Sequence, residues 1–238
     1  ADSTERPTVS ALAREFRFLF FIDDDAYVAP DTLATLVHTA MNSSATGIVS
    51  PRILDAARND RIWFDGGYRN MFGDFLHKNL GAKVSASDHA HSGTPRAIDF
   101  ASGCCMLVKR EVFEGIGGFD EEFFVYSEDA DFSARTRAAG LEVMLAPHAI
   151  SWHHQSSDTK KNAGKEFRDY YVTRNRLLLA RRTLHGVRWF VYCIYFILYH
   201  CMVPVLYHSI TGKPSRVRAI LSGVVDYKRG NFGRRQER

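Results

Sequence analysis

Three consecutive carboxylates, Asp23, Asp24 and Asp25, follow a short apolar run at residues 16–22. Adjacent carboxylates repel one another, so this sequence costs stability unless a cation or several hydrogen-bond donors offset the charge. In an extended segment Asp23 and Asp25 point to the same side, where their oxygens suit a hard divalent ion such as Mg²⁺ or Mn²⁺. A solvated turn is the alternative interpretation. The position after an apolar strand favours the metal.

A second acidic group lies in residues 119–132, FDEEFFVYSEDADF. Ser127 is a suitable N-cap for a helix from about 128 to 139, so Glu128 and Asp129 fall in its first turn. The helix dipole favours ionised carboxylates there, and this preference alone explains both residues. The neighbouring aromatic residues favour a functional role, because they can form an apolar wall for one face of a sugar.

A third candidate is the sequence PHAISWHH at residues 147–154. Neutral imidazole is a common metal ligand, and here it follows a predicted strand at residues 141–146. Adjacent residues project to opposite sides of an extended chain, so only one of His153 and His154 can face a shared site.

The elements between these motifs alternate between strands and helices. The continuous apolar run at residues 16–22 predicts a buried strand of a mainly parallel sheet, with Asp23 to Asp25 at its carboxyl end, where open α/β sheets bind ligands. A helix follows from about residue 30, and further strands are predicted near residues 46–50 and 98–109. We expect loops and short strands over a cleft at residues 61–91.

Residues 189–212 contain no Asp, Glu, Lys or Arg, a length sufficient to cross a bilayer. Basic residues flank both ends, which favours the cytosolic side at both. A helix lying in the membrane interface or a re-entrant hairpin therefore explains the run at least as well as a span, and an ordinary buried helical hairpin is the alternative. We expect membrane contact at the cytoplasmic face of the cell membrane, as a peripheral, monotopic or C-terminally anchored protein.

The formal net charge of the 238 residues is +4, and most of the basic excess lies after residue 212. This placement suits anionic lipid headgroups, whereas nucleic-acid binding is not expected because zinc-ligand spacing and interleaved basic and aromatic motifs are absent. The four cysteines form neither a CxxC pair nor a disulfide framework, which predicts reduced thiols in a cytosol-facing protein. A signal peptide is not visible in the first residues.

In their order and spacing, four segments resemble the inverting family 2 glycosyltransferases: FFIDDDAYVAPDTL, FASGCCMLVKREVFEGIGGFDEEFFVYSEDADFSARTRAAG, SWHH and YYVTRNRLLL. The resemblance spans residues 17–182 and is closest to bacterial rhamnosyltransferase-like and galactofuranosyltransferase-like members, which build cell-surface polysaccharide. It implies an α/β fold of the GT-A type, a Rossmann-like mixed sheet flanked by helices, incomplete at its N-terminus. The domains expected are a GT-A-like domain at 1–155, a linker and helix at 156–187, and an apolar membrane-associated helical segment with a basic tail at 188–238.

The resemblance also implies roles for individual residues. Asp23 and Asp25 match the DxD motif that holds the divalent metal, Mn²⁺ or Mg²⁺, and the donor diphosphate, and His153 matches the histidine that completes the metal site. Asp129 matches the aspartate that deprotonates the acceptor hydroxyl, and Glu128 would help to position the acceptor. The other residues expected to bind donor or acceptor are Asp24, Ser102, Gly103, Trp152 and Arg174.

The partners implied are a nucleotide-sugar donor, a glycan or lipid-linked acceptor, and a membrane surface. Family members carry a strand–helix–strand segment for the nucleotide before the DxD motif. Only 22 residues precede Asp23 here, whereas one βαβ unit takes ~30 residues, so the sequence predicts an N-terminally truncated member.

Two other functions are open at this point. A phosphatase of the haloacid dehalogenase type also places DxD after an apolar strand and would use Asp23 as its nucleophile. That class expects Thr or Gly-Thr shortly afterwards, which AYVAP at residues 26–30 lacks. A non-catalytic, truncated membrane scaffold would keep the aromatic and apolar features without binding a donor.

Overall fold

The computed structural model describes residues 16–84, 93–154 and 164–235. Two compact units divide the chain. The sheet unit comprises Ala1–Gly67, His77–Gly118 and Arg135–His154, and the helical unit comprises Tyr68–Leu76, Phe119–Ala134 and Gln155–Arg238. The domain boundaries expected from the sequence stay a prediction. The parts of the expected loops and linker that fall on residues 85–92 and 155–163 lie outside the described residues.

A mixed β-sheet forms the centre of the sheet unit. Its main strand order is β1-β8-β3-β9-β2, with β4 paired to β3 and β7 paired to β9. Only β3 and β9 are parallel to each other; the other pairs are antiparallel. The strands are β1 (Phe18–Ile22), β2 (Ala26–Val28), β3 (Thr46–Asp55), β4 (Arg58–Phe64), β5 (Gly67–Arg69), β6 (Phe75–His77), β7 (Arg96–Ala97), β8 (Cys105–Lys109) and β9 (Glu142–His153). Strands β5 and β6 form a separate two-stranded ribbon.

The expected mixed sheet with flanking helices is confirmed, but the expectation of a mainly parallel sheet around residues 16–22 is wrong. Strand β1 pairs only with β8 among the described strands, in antiparallel register, and it is half-buried. Phe18 and Phe20 pack on one face against the cluster around Leu107, and Phe21 stacks on Phe113 at 6.2 Å on the other. A strand that has packing partners on both faces is apolar throughout, whichever way its neighbour runs.

The fully buried strand β3 carries the core of the sheet unit. Its parallel register with β9 shifts between Pro51 and Arg52, opposite Pro147 of β9. Proline has no backbone N–H, so the ladder breaks there and resumes at Ile150. The second half of β9 then carries Ser151 to His153 along β2, beyond the point where the sequence predicted that the strand ends.

Helices α1 (Thr32–Met41) and α2 (Arg110–Ile116) belong to the sheet unit. The expected helix near residue 30 is confirmed, and it buries Leu36 and Ala40 against the sheet. Helix α3 (Glu128–Ala138) also matches its prediction closely. Its first residues, up to Ala134, belong to the helical unit.

The helical unit continues with α4 (Lys165–Thr183), α5 (Gly186–Tyr195), a π-helical turn (Phe196–Met202), α6 (Val203–Ile210) and α7 (Pro214–Arg229). Helices α4 and α7 pack closely at Gly223, where an added Cβ would lie 2.7 Å from the carbonyl oxygen of Tyr170. Helix α5 and the π-helical turn pack on α4 through Tyr192 and Phe196, which contact the cluster around Leu177.

A buried polar group fixes this apolar segment to α4. His200 Nε2 lies 2.5 Å from Asp74 Oδ2, and His200 Nδ1 lies 2.9 Å from Arg176 Nη1. Because a guanidinium only donates, Nδ1 is the acceptor in the contact with Arg176, which leaves Nε2 to donate to Asp74. Burial raises the pKa of the Asp74 carboxyl, but the His200 hydrogen bond and the Arg176 charge outweigh it and hold that pKa below its usual value.

Candidate active site

The three aspartates lie in a reverse turn between β1 and β2. The Asp23 N–H donates to the Cys104 carbonyl at 2.9 Å, the Ala26 N–H to Asp23 at 3.1 Å, and the His154 N–H to Asp25 at 2.9 Å. The expectation of an extended segment here is wrong, because the chain leaves its pairing with β8 and begins to pair with β9 within three residues. The turn is tied to both strands, so its carboxylates are held at one place.

His153 is the histidine that faces this turn. Its Nε2 lies 3.1 Å from Asp25 Oδ1, and its Nδ1 is buried with no hydrogen-bond partner among the described residues. Ligand atoms of Asp23, Cys104 and His153 all lie within 4.8 Å of one another. The structure therefore places Asp23 and Asp25, the two expected carboxylate ligands, each close to His153.

The ligand atoms of these residues fit a divalent cation. Carboxylates suit Mg²⁺ and Mn²⁺, and an imidazole in the set shifts the preference toward Mn²⁺. The buried imidazole nitrogen without a partner is the kind of atom that a ligand satisfies. Cys104, which the sequence did not single out, adds a soft sulfur nearby; only the two residues before it, Ser102 and Gly103, were expected to contact donor or acceptor.

The other residues expected near the donor have distinct surroundings. Trp152 points to the opposite side of β9 from His153 and stacks on Tyr27 at 5.1 Å. Ser102 is buried, and its Oγ accepts the Cys104 N–H at 3.3 Å. Their roles in binding the donor, together with those of Gly103 and the exposed Asp24, stay predictions.

The loop before α3 has an unusual backbone. Phe124, Tyr126 and Ser127 have φ values of 62°, 66° and 73°, in a region that non-glycine residues adopt only when surrounding contacts enforce it. The Asn175 amide supplies such contacts: its Nδ2 lies 2.9, 2.7 and 2.7 Å from the carbonyl oxygens of Phe123, Val125 and Tyr126. One side chain of α4 therefore holds the backbone that leads into α3.

Arg174 holds the same loop from the adjacent position. It is fully buried, and Nη2 donates to the Glu122 and Phe123 carbonyls at 3.1 and 3.0 Å. Its Nη1 donates to the Gly233 carbonyl at 2.8 Å, and Nε to Asn175 Oδ1 at 2.9 Å. Contact with a substrate was expected for Arg174 and stays untested, whereas these bonds give it a positioning role.

Arg182, two turns further along α4, binds the acidic side of the loop. Nη1 lies 2.8 Å from Asp120 and 3.3 Å from Asp131, and Nη2 pairs with Glu122. Burial lowers the pKa of Arg182, but the hydrogen bond to Asp120 and the charge of Asp131 outweigh it, so the pKa is raised. The guanidinium also lies 5.0 Å from the Phe123 ring centre. The sequence did not predict this group.

Glu128 and Asp129 lie side by side in the first turn of α3, both half-buried. Asp129 Oδ1 accepts the Ala130 N–H at 2.7 Å, as expected for a carboxylate at a helix start. Together with Arg174, Asn175 and Arg182, they form a second group of candidate residues, which lies within the helical unit. The metal-ligand group belongs to the sheet unit.

Comparison with known proteins bears on the chemistry. A family profile described as "Glycosyltransferase like family 2" matches residues 5–172. The N-acetylglucosaminyl-diphospho-decaprenol L-rhamnosyltransferase of Mycobacterium tuberculosis is 28% identical over 145 residues, 58% of this chain and 47% of that protein. Galactofuranosyltransferase GlfT2 of the same species is 23% identical over 175 residues, 68% of this chain and 27% of that protein.

Among solved structures, the mannosyltransferase PcManGT from Pyrobaculum calidifontis, in complex with GDP-Man and Mn²⁺, aligns with a TM-score of 0.49 and 15% identity. The alignment covers 95% of this chain and 68% of that chain. The chain spans about half the length of the curated rhamnosyltransferase it matches, or 47%.

Proposed function

Because this chain belongs to glycosyltransferase family 2, we propose that it transfers a sugar from a nucleotide-sugar donor to a glycan or lipid-linked acceptor, with inversion at the anomeric carbon. The observation that carries the proposal is the contact of His153 with Asp25 at 3.1 Å, beside Asp23. These side chains are suitable ligands for a divalent cation, and such a cation would stabilise the diphosphate as the leaving group.

Asp23, Asp25 and His153 would hold the cation, for which Mn²⁺ is the better fit. When bound there, such an ion would supply positive charge to offset the charge that develops on the departing diphosphate. The reverse turn supports this role because its backbone bonds to Cys104 and His154, next to β8 and β9, hold the two carboxylates in place. His153 supports it through its buried Nδ1, which has no hydrogen-bond partner among the residues described.

Asp129 is the proposed general base, and Glu128 the residue that positions the acceptor. The Asp129 carboxylate takes the proton of an acceptor hydroxyl, and the oxygen attacks the anomeric carbon from the face opposite the diphosphate. The N-terminus of α3 supports this role, since the helix dipole favours a negatively charged side chain there. The clamp of Asn175 and Arg174 fixes the loop that begins the helix.

The names of the relatives suggest the substrate class. One relative is a rhamnosyltransferase acting on N-acetylglucosaminyl-diphospho-decaprenol and another is a galactofuranosyltransferase. We therefore propose a lipid-linked or polysaccharide acceptor in cell-surface polysaccharide synthesis. Family membership favours this function over a haloacid dehalogenase-type phosphatase.

We place the chain at the cytoplasmic face of the membrane. The segment Gly186–Ile210 is long and apolar enough to cross a bilayer, with a mean hydropathy of 1.8 and only 11% of its most apolar stretch buried. Tyr192 and Phe196 face α4, while the opposite side is exposed, which supports a helix that lies in the interface. The exposed residues are Val187, Phe190, Val191, Ile194, Ile197, Leu198, Tyr199, Met202, Val203, Leu206, Tyr207 and Ile210.

Calorimetric titration with a panel of nucleotide sugars, with and without Mn²⁺, tests the function. We expect Mn²⁺-dependent heat for one donor, which Asp25→Asn removes and the neighbouring His154→Ala leaves intact. NMR of the product should then show an inverted anomeric configuration. Absence of any metal-dependent heat would instead favour the non-catalytic membrane scaffold.

A further inference from the structure

The helical unit contains a cavity of about 610 Å³ beside Glu128. Its lining comes from two segments that are far apart in sequence: the acidic loop at residues 119–124, and residues 230–234 after α7. We name residues 230–235 the C-terminal strap. The volume is within the usual range of about 300–1,000 Å³ for small-ligand sites, and it accommodates a sugar residue with its neighbouring bonds.

The strap is held in place by specific bonds. The buried Arg174 donates to the Gly233 carbonyl at 2.8 Å, and the Gly233 N–H donates to the Glu122 carbonyl at 2.7 Å. The Arg235 N–H donates to the Tyr171 hydroxyl at 2.7 Å. Arg174 thus binds both walls of the cavity at once, so the strap is a fixed wall.

The cavity presents aromatic rings from both walls. Phe119 and Phe124 come from the loop and Phe232 from the strap. Phe124 has a φ of 62° and a side chain that is 44% exposed. The ring packs on Tyr171, with 5.3 Å between the ring centres, and its exposed part forms part of the cavity wall. This exposed aromatic surface is available to a ligand.

The polar lining disfavours anionic ligands. It contains the carboxylates of Asp120, Glu121, Glu122 and Glu128, of which Asp120 and Glu122 pair with Arg182. It also contains Arg234, whose guanidinium lies 5.8 Å from the Phe124 ring centre. Carboxylates accept hydrogen bonds from hydroxyls and repel anions. Aromatic faces for C–H groups, with acceptors for hydroxyls around them, match the chemistry of a neutral sugar ring.

We propose that this cavity binds one uncharged sugar ring of the acceptor, and that the C-terminal strap, through Phe232 and Arg234, determines which sugar is accepted. The inference rests on the proposed transfer function, because Glu128, which lines the cavity, is proposed there to position the acceptor. Phe232 and Arg234 are specificity-determining residues, and Phe124 is the fixed wall opposite them.

Saturation-transfer difference NMR on the full chain tests the cavity. The probes are methyl glucoside, methyl rhamnoside and methyl glucuronide, the last differing from the first only by a carboxylate. We expect signals from the ring protons of at least one neutral glycoside and weaker signals from the glucuronide. No signal from either neutral glycoside, or an equal signal from the glucuronide and the glucoside, would overturn the proposal.

Matched variants locate the binding. Phe124→Gly removes the ring while glycine adopts the positive φ readily, so folding should be retained, and the dissociation constant should rise roughly fivefold, as expected for one lost aromatic contact. Phe232→Ala should act similarly, whereas Phe16→Ala, which removes a ring that is 54% exposed elsewhere, should not. Unchanged binding in both cavity variants would refute the site.

The same variants separate this inference from the proposed function. Arg234→Ala should change the ratio of glucoside to rhamnoside binding, while Arg229→Ala, at the exposed end of α7, should not; an unchanged ratio would refute the specificity role. Donor calorimetry with Mn²⁺ runs in parallel. If a nucleotide sugar binds with Mn²⁺-dependent heat but the cavity variants leave glycoside binding unchanged, only the cavity proposal is refuted. If glycosides bind in the cavity but no nucleotide sugar gives Mn²⁺-dependent heat, only the transferase function is refuted.

Discussion

Asn175→Ala is the substitution whose effect the structure predicts most directly. The amide lies within bonding distance of three carbonyls, those of Phe123, Val125 and Tyr126, but its two hydrogens satisfy at most two of them fully at once. Each buried acceptor left without a donor costs about 1–3 kcal/mol. Because two of the three contacts are only partly buried, we expect the free energy of unfolding to fall by roughly 2–4 kcal/mol.

Urea unfolding followed by circular dichroism measures this change. The matched control is Asn42→Ala, an exposed amide after α1 whose Nδ2 lies 3.4 Å from His38 Nδ1, and its effect should stay within about 0.5 kcal/mol. Sugar transfer should also fall for Asn175→Ala, with Mn²⁺-dependent donor heat retained, because the metal ligands lie in the sheet unit. If Asn175→Ala destabilises no more than Asn42→Ala, the assignment of the amide as the clamp of this loop is refuted.

Four further predictions concern separate parts of the chain. Asp129→Asn should abolish sugar transfer in rate assays and leave the heat of nucleotide-sugar binding largely unchanged in calorimetry. An equal loss of transfer and of donor binding would contradict its role as base. His153→Ala should weaken Mn²⁺ binding by roughly 10- to 100-fold or more, and His154→Ala should not; equal effects in titrations would argue against the ligand group. The folded-state pKa of Asp74 is lowered, so its stabilisation is complete above about pH 4 and is lost as the pH falls further; Asp74→Asn should flatten the acid side of the unfolding curve, and an unchanged slope would count against this. Phe190→Glu should lower flotation with anionic vesicles several-fold, and flotation equal to that of the unchanged chain would contradict membrane contact.

The sequence was sufficient for several local elements. Periodicity and capping residues located α1 and α3 closely, because those signals lie within the segment that folds. The alternation of side chains along β9 left His153 and His154 as alternatives, and only the family resemblance assigned His153, which lies 3.1 Å from Asp25. Direct contacts of these residues with a donor remain predictions.

Strand partners and long-range clamps could not be predicted in the same way. The apolar run at residues 16–22 contains no signal for the direction of β8, so the parallel assignment was wrong. The left-handed backbone at Phe124 and Tyr126 is set by Asn175, about fifty positions later in the chain. Nothing within the loop itself indicates this conformation, because neither residue is glycine.

Helix α4 binds the loop before α3 at two points, through Arg174 and Asn175 at one and through Arg182 at the other. Arg174 and Arg182 are about 12 Å apart along the helix axis. An inserted or deleted residue between them would rotate the Arg182 side chain about 100° around the helix axis relative to Arg174. A substitution would leave both side chains on the same face of the helix. We therefore expect natural variation between these positions to preserve their number, so that the length of this segment is inherited as strictly as its buried residues, Leu177 to Ala180.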